Sequence, residues 1–167
     1  ITTKGFRDIL ILQRHGRHNI YDLEFQKPQP VVDRASSFEI TERILSDGAV
    51  LTALDLKAAE KELIPALEAG GFQAVAVCLL NAYVNPAHEV ALRDLIRRKL
   101  PGLHVTISSD VTREFREFER ASTTTLSAYV QPVIDGYIAR FSKRLDEHGF
   151  LGRFSVMQSN GGRLPAE

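Results

Sequence analysis

Residues 56–108 alternate between helical and extended patterns with short connections, and this alternation restricts the chain to few folds. Asp55 can cap a helix that ends at Gly70-Gly71, and residues 72–80 are typical of a strand buried on both faces. A helix over about 87–100 and a strand over 104–108 follow. Strands that alternate with helices pair in parallel, with the helices packed on the sheet. We therefore predict an α/β fold built from βαβ units. The apolar face of the first helix would consist of Leu56, Ala59, Leu63 and Leu67.

Polar loops follow both predicted strands, at residues 81–85 and 108–112. In α/β sheets, ligands lie beyond the carboxyl ends of the strands. Neither loop carries a Walker-type, dinucleotide-binding, zinc-protease or serine-hydrolase motif, and none occurs elsewhere in the chain. The acidic residues form no diagnostic pair, so the sequence assigns no general base.

The first residues predict a helix followed by a polar loop. Thr3 is a suitable N-cap, and the apolar residues from Phe6 to Leu12 follow helical spacing toward an end near Gly16. The loop contains His15 and His18 beside two arginines, without acidic or cysteine partners at metal-ligand spacing. We expect no metal site here, and an anion or substrate contact and a solvated loop remain as alternatives.

Residues 38–45 alternate approximately between apolar and polar, and an Asp-Gly pair separates them from residues 49–52. Asp-Gly supplies the positive φ angles that a tight hairpin turn requires. This segment predicts a β-hairpin with a structural role.

The longest helical pattern extends from about residue 112 to residue 148, with Gly149 as its C-cap. Pro132 predicts a kink or a junction of two helices. A straight helix of this length would measure roughly 50 Å, which suggests that it crosses from one domain to the next. The residues of this stripe recur at steps of three and four: Phe115, Phe118, Ser122, Leu126, Tyr129, Val133, Tyr137, Phe141 and Leu145.

Composition excludes several classes of protein. Lys+Arg (21) and Asp+Glu (21) balance, so no basic excess favours nucleic acid as a partner. No apolar run approaches the ~20 residues of a membrane span, so no membrane partner is expected either. The single Cys78 lies in an apolar run, which predicts a buried, inert thiol and fits a reducing cytoplasm.

Two polar segments could contact a ligand. Residues 113–125 are unusually polar for a helix start, and three successive threonines within them are poor helix formers. Their hydroxyls could face a cleft, or the charges could form solvated ion pairs. In Ser159-Asn160-Gly161-Gly162, backbone amides and small polar side chains could bind phosphate, but Asn-Gly also favours a turn between two strands.

Four ordered motifs resemble those of the hydantoinase A/5-oxoprolinase family, which also includes acetone and acetophenone carboxylase subunits. They are Thr2-Thr3-Lys4-Gly5-Phe6-Arg7-Asp8, Asn19-Ile20-Tyr21-Asp22-Leu23, Glu119-Arg120-Ala121-Ser122-Thr123-Thr124 and Met157-Gln158-Ser159-Asn160-Gly161-Gly162. Cys78-Leu79-Leu80-Asn81-Ala82-Tyr83 and Asn85-Pro86-Ala87-His88-Glu89 fit the same pattern.

This resemblance implies part of an actin-like ATPase fold of the sugar kinase/Hsp70 type, with two lobes around an ATP cleft. Residues 1–110 would be the later part of the first lobe, 111–149 the connecting helix and 150–167 the start of the second lobe. Such proteins couple ATP and Mg²⁺ to the opening of a cyclic amide or to the activation of a ketone for carboxylation. A second subunit or domain would be a partner.

The resemblance also implies roles for particular residues. Ser159, Asn160, Gly161 and Gly162 would approach phosphate. The cleft-facing residues at the start of the long helix would be Glu119, Arg120, Ser122, Thr123 and Thr124. Lys4, Arg7 and His15 would be possible substrate contacts.

The family's Asp-x-Gly-Gly-Thr phosphate loop is not in this sequence, so half of the ATP cleft would be missing. We therefore expect a fragment of a larger enzyme that is inactive alone. The strand at residues 154–156 would have little to pair with, and we expect it to be disordered or to pair with another molecule.

Overall fold

The computed structural model describes residues 1–14, 21, 23–26, 28–157 and 161–165, with only the backbone of Leu164. The chain divides into two compact units, Ile1–Tyr129 and Val130–Glu167. In chain order the elements are β1 (Thr2–Thr3), α1 (Ile9–Leu12), a 3₁₀ turn (Arg34–Ser36), β2 (Glu39–Ile40), β3 (Arg43–Ile44), β4 (Val50–Thr52), α2 (Leu56–Ala69), β5 (Ala74–Val77), α3 (Ala87–Lys99), β6 (His104–Ile107), α4 (Ser108–Val111), α5 (Glu117–Glu147), β7 (Ser155–Met157) and β8 (Arg163–Pro165).

Parallel strands form the centre of the first unit. β5 pairs with β6 over the full length of both strands, from Ala74 opposite His104 to Val77 opposite Ile107. β1 pairs in parallel with β2, and a parallel bridge between Thr2 and Cys78 joins the two pairs in the order β2, β1, β5, β6. The predicted α/β class and the parallel pairing of the two strands are confirmed.

The core of the first unit lies between these strands and helices α2 and α3. Its side chains from α3 (Leu92, Leu95 and Ile96) are 0–2% exposed. Asp55 caps α2 as predicted, because its Oδ1 accepts hydrogen bonds from the amides of Lys57 and Ala58 at 2.9 and 3.1 Å. Leu56 is 39% exposed, so the prediction that it belongs to the inward face was wrong.

The strand predicted over residues 72–80 is shorter and less symmetric than expected. β5 covers only Ala74–Val77, and its buried residues, Val75 and Val77, share one face. Ala74 and Ala76 on the other face are only partly buried. The prediction that this strand is buried on both faces was therefore wrong. Its buried residues belong to the same core cluster as the inward residues of α2 and α3.

The start of the chain differs from its prediction. Thr3 does not cap a helix; Thr2–Thr3 form β1, and the helix covers only Ile9–Leu12. Its N-cap residue is Asp8, whose side chain makes no capping hydrogen bond. The expected helix end at Gly16 lies outside the described residues.

The predicted hairpin is present but smaller. β3 and β4 are antiparallel around a turn where Gly48 has φ +86°. Residues 39–40 do not join this hairpin, because they pair with β1 instead.

Helix α5 begins at Glu117, five residues later than expected, and Pro132 lies inside it without ending it. Its end is as predicted: Gly149 has φ +72°, and the amides of Gly149 and Phe150 donate to the carbonyls of Asp146 and Leu145 at 2.9 and 3.0 Å. This pair of bonds is a Schellman motif, in which glycine at the left-handed position ends the helix.

The buried stripe of α5 is not the predicted apolar one. Its buried residues are Arg120, Ala121, Thr124, Thr125 and Ala128. Leu126, Tyr129, Val133 and Tyr137 are 50–76% exposed. Small side chains at steps of three and four let the helix backbone pack closely, whereas the large apolar residues lie on another face.

In the second unit, β7 pairs with β8 as an antiparallel hairpin, with Val156 opposite Leu164. The expectation that this strand would lack a partner was wrong, because residues 163–165 return along it. Over the described residues, no helix combines the length and apolar character that a membrane span needs.

Candidate functional site

A buried carboxylate organises the carboxyl ends of β5 and β6. Glu89, in the first turn of α3, is 0% exposed and accepts four hydrogen bonds. Its Oε1 accepts from the Leu79 amide at 2.9 Å and the Ser108 hydroxyl at 2.6 Å. Its Oε2 accepts from the Ser109 amide and hydroxyl at 2.9 and 2.8 Å. The chain segments that follow the two parallel strands are therefore held by one side chain.

Arg120 of α5 extends this arrangement. It is 0% exposed, its Nη1 donates to Ser108 Oγ at 2.6 Å, and the same nitrogen lies 3.9 Å from Glu89 Oε1. The guanidinium carbon also lies 5.8 Å from the ring centre of Tyr83, in cation–π range. Nε and Nη2 of Arg120 are buried and have no hydrogen-bond partner among the residues that the structure describes. The helix start thus brings a positive charge to the strand ends.

A second buried carboxylate lies beside the first. Glu42 is 3% exposed; its Oε1 accepts from the Thr3 hydroxyl and its Oε2 lies 2.7 Å from His88 Nδ1. Thr3 Oγ1 in turn accepts from the Leu80 amide at 2.9 Å. Two consecutive amides after β5 therefore connect to the two carboxylates. The Leu79 amide bonds to Glu89 directly, and the Leu80 amide is linked to Glu42 through the Thr3 hydroxyl. We call this set the strand-end network: Thr3, Glu42, His88, Glu89, Ser108, Ser109 and Arg120.

The loop between β5 and α3 is further fixed by two asparagines. Asn81 has φ +55°, and its side-chain amide donates to the Ile44 carbonyl at 2.8 Å. Asn85 donates to the Gly48 carbonyl at 2.8 Å. Asparagine tolerates the left-handed region better than most residues, so this loop can turn sharply without glycine.

Cys78 lies at the beginning of this loop. Burial raises the pKa of its thiol to about 11, and the negative charge of Glu89 acts in the same direction, although Arg120 opposes it. The thiol is therefore protonated at neutral pH, which supports the prediction of an inert cysteine, but Cys78 is partly rather than fully buried.

The residues proposed to face a cleft lie in different environments. Glu119 is partly exposed and forms an ion pair with Arg14. Arg120 and Thr124 are buried, and Thr124 Oγ1 donates to the Arg120 carbonyl at 2.6 Å, as threonines within helices commonly do. Ser122 is partly exposed and Thr123 exposed. The structure therefore brings only Arg120 of this group into the strand-end network.

The possible substrate contacts are not brought together. Lys4 is exposed. Arg7 donates from Nε and Nη2 to the Arg34 carbonyl at 3.1 and 2.7 Å. His15 lies outside the described residues.

The glycine pair of the proposed phosphate loop lies between β7 and β8. Gly161 has φ +83°, and a Cβ placed there would meet no atom of the described residues within 4 Å. Ser159 and Asn160 lie outside the described residues. The flanking strands pair as a hairpin, which matches the alternative that this segment makes a turn.

Sequence reasoning missed most of the strand-end network. Glu42 and Glu89 did not stand out among 21 acidic residues. One usable signal was the Pro86-Ala87-His88-Glu89 run after a buried strand, because an acid in the first turn of a helix is stabilised there. Over the described residues, no group of three or more His, Cys, Asp or Glu could hold a metal ion.

Two family models together match most of the chain. The model of the hydantoinase/oxoprolinase N-terminal region matches residues 1–100, and the hydantoinase/oxoprolinase model matches residues 120–167. The chain belongs to the hydantoinase/oxoprolinase family. The resemblance seen in the sequence motifs is thereby confirmed.

Three relatives illustrate the family. The caprolactamase alpha subunit of Pseudomonas jessenii is 34% identical, over 99% of this chain and 24% of the relative. The acetophenone carboxylase gamma subunit of Aromatoleum aromaticum is 30% identical, over 97% of this chain and 24% of the relative. 5-Oxoprolinase 1 of Arabidopsis thaliana is 30% identical, over 98% of this chain and 14% of the relative. The chain thus spans a quarter or less of these proteins.

One solved structure is similar to this chain over almost its whole length. The crystal structure of the ATP-dependent caprolactamase from Pseudomonas jessenii superposes with a TM-score of 0.85 at 32% identity, covering 99% of this chain and 24% of that one. This member of the hydantoinase/oxoprolinase family therefore shares its fold with an ATP-dependent caprolactamase. The narrower assignment to the actin-like superfamily stays a prediction.

Proposed function

We propose that this hydantoinase/oxoprolinase chain is a segment of an ATP-dependent enzyme that opens cyclic amides of the hydantoin or 5-oxoproline type. The observation that carries the proposal is the match of nearly the whole chain to caprolactamase and 5-oxoprolinase, whose names specify cyclic amide substrates. In this proposal residues 1–110 belong to the first lobe, 111–149 connect the lobes, and 150–167 begin the second lobe. The parent protein would be a cytoplasmic cyclic amidohydrolase.

The nucleotide would be held by Ser159, Asn160, Gly161 and Gly162. Gly161 supports this assignment, since it has a left-handed backbone and no described atom within 4 Å of its Cβ position, a conformation in which glycine amides can approach a phosphate. ATP would supply the phosphoryl group that turns an amide oxygen into a leaving group. Mg²⁺ would arrive with the phosphates, as is usual for this cation.

A nucleotide titration of the full-length parent tests this loop. Replacing Gly161 and Gly162 by Val should abolish nucleotide binding measured by calorimetry. Gly71→Val is the matched control, because Gly71 also has positive φ (+62°) and no atom within 4 Å of its Cβ position. Unchanged binding in the double variant would refute the phosphate role of the loop.

A ketone is the alternative substrate. The similarity to the acetophenone carboxylase gamma subunit supports it. Thermal-shift measurements on the parent with ATP plus hydantoin, 5-oxoproline or acetophenone would separate the two, since the true substrate should raise the melting temperature most.

A non-catalytic subunit-interaction module is the second alternative. It is supported by the exposed apolar residues of α5, among them Val133 (72% exposed) and Tyr137 (57% exposed). In either case we propose that the 167-residue chain is inactive alone. An ATPase assay tests this, and magnesium-dependent turnover above the buffer blank would contradict it.

A further inference from the structure

The guanidinium of Arg120 is fully buried but only partly satisfied. Nη1 donates to Ser108 Oγ at 2.6 Å, whereas Nε and Nη2 are inaccessible to solvent and find no acceptor in the described part of the chain. The guanidinium carries a positive charge and offers only donors, so hydrogen bonds at these nitrogens require acceptors. Buried polar groups in native proteins are almost always bonded, and an unbonded charged donor costs free energy. Something must therefore accept hydrogen bonds from these two nitrogens.

The neighbouring carboxylate does not fill this role. Oε1 of Glu89 already accepts from Leu79 and Ser108, and Oε2 accepts both hydrogen bonds of Ser109. Its Oε1 lies 3.9 Å from Nη1, on the side of the guanidinium that Ser108 occupies. Among the described residues, the free side of Arg120 faces no acceptor.

The shape of the free donors indicates what they would bind. Nε–H and Nη2–H project in parallel from one edge of the planar guanidinium, and this edge matches two oxygens of a carboxylate or phosphate. The side chain does not need to be ordered by the ligand, because Ser108 and the Tyr83 ring, whose centre is 5.8 Å from Cζ, already hold it. Preorganisation of this kind increases affinity.

The location also suits a ligand. Arg120 lies at the carboxyl ends of β5 and β6, beside Ser108 and the loop after β5. This is the edge where parallel sheets bind small molecules. Tyr83 is only partly buried and its ring centre lies 5.8 Å from the guanidinium carbon, so this side chain is close both to solvent and to Arg120.

We propose that the Nε/Nη2 edge of Arg120 is a binding site for an oxyanion, a carboxylate or phosphoryl group, and that the Tyr83 side chain admits it. The site goes beyond the nucleotide loop proposed at residues 159–162, because it uses other residues in the other compact unit. Failure of one proposal therefore leaves the other standing.

The test follows the Nε–H resonance of Arg120 by NMR in the ¹⁵N-labelled 167-residue chain. The chain is titrated with sodium phosphate and, separately, with sodium acetate, each against sodium chloride at equal ionic strength. The Arg120 resonance should shift in a saturable way with at least one anion. Arg116 is the matched control, since it is an exposed arginine one turn earlier in the chain and should not saturate.

The two titrations distinguish the sources of the anion. Saturation by phosphate alone assigns the site to a phosphoryl group, saturation by acetate alone assigns it to a carboxylate, and saturation by both fits a general oxyanion site. An Arg120 resonance that responds to neither anion overturns the proposal, because water or another protein group then satisfies the edge. The NMR titration uses the chain without any substitution, so its outcome does not depend on whether a variant folds.

Two variants sharpen the result. Arg120→Lys keeps the charge but lacks the two-pronged edge, and the anion affinity measured by calorimetry should fall by about tenfold or more. Equal affinity in this variant would contradict the bidentate geometry. Tyr83→Ala should speed exchange between the free and bound states, and an unchanged exchange rate would overturn the proposed route.

Discussion

The strand-end network of the first unit and the β7–β8 hairpin of the second are stabilised in different ways. In the network, two carboxylates that are 0–3% exposed are held by specific hydrogen bonds. In the hairpin, Val156 and Met157 are 39% and 65% exposed, and the aromatic pair Phe141–Phe154, with ring centres 4.8 Å apart, supports its base. Buried charge requires complete bonding, whereas an exposed hairpin depends on a few apolar contacts. The first region should therefore respond far more strongly to single substitutions.

The largest effect is expected for Glu89→Ala. The substitution leaves the Leu79 and Ser109 amides without acceptors and removes the nearest negative charge from buried Arg120. We expect a loss of about 3–5 kcal/mol in the free energy of unfolding, measured by urea denaturation. Exposed Glu68→Ala is the control and should change it by less than about 0.5 kcal/mol. A loss near the control value would show that the network is not stabilising.

A smaller effect is expected for Thr3→Val, which removes one hydroxyl while keeping the shape. Thr3 Oγ1 links the Leu80 amide to Glu42, and Val leaves both without that partner. The expected loss is about 1–3 kcal/mol, with faster hydrogen exchange at the Leu80 amide. Thr2→Val, on the same strand and only partly buried, should change neither quantity appreciably. Equal effects in both variants would mean that strand propensity, not the hydroxyl, matters.

The elements of the fold differ in how well the sequence predicts them. The Asp55 cap, the Gly149 helix end and the parallel β5–β6 pair were predictable, because each depends on neighbouring residues or on regular alternation. The β1 strand was not, since it has two residues and exists through partners at Glu39 and Ile40. Threonine favours strands, but two residues are too few to form an alternating pattern.

The candidate site was predictable only in outline. The sequence pointed to the carboxyl ends of the two strands, where the strand-end network lies, and Arg120 of this network was among the proposed residues. Burial of Glu42 and Glu89 depends on tertiary packing. The sequence around an acidic residue does not show whether that residue is buried. Helix α5 shows the same limit, because its small residues are buried while Tyr129 and Val133 are exposed.

The thiol of Cys78 predicts a change in stability with pH near the network. Burial raises its pKa from 9.0 to about 11, so the folded chain keeps this proton over a range in which the unfolded chain loses it. The unfolded state thus binds fewer protons between pH 9 and 11, and stability falls as pH rises through this window. The decrease attributable to Cys78 should reach about 3 kcal/mol at most, since each pKa unit corresponds to about 1.4 kcal/mol.

Urea denaturation of the wild type and of Cys78→Ala at several pH values isolates this contribution. Other groups titrate in the same range, but they contribute equally to both proteins. The difference in unfolding free energy between the two should change between pH 9 and 11 and stay constant below it. Parallel curves across the whole range would mean that the thiol is not shielded from solvent.

The smallest effect is expected in the second unit, for Phe141→Leu. Phe141 packs against Phe154 at 4.8 Å and against Tyr137 at 6.2 Å between ring centres, and it is already 37% exposed. Losing the ring contacts should cost about 0.5–1.5 kcal/mol.

Because Phe154 immediately precedes β7, hydrogen exchange at Ser155–Met157 should accelerate by a matching factor while the strand-end network stays protected. Tyr129→Leu, which changes an aromatic residue 76% exposed on the same helix, should leave the exchange of β7 unchanged. Acceleration in the Leu79 and Leu80 amides by Phe141→Leu would contradict the comparison, since it would mean that the two regions unfold together.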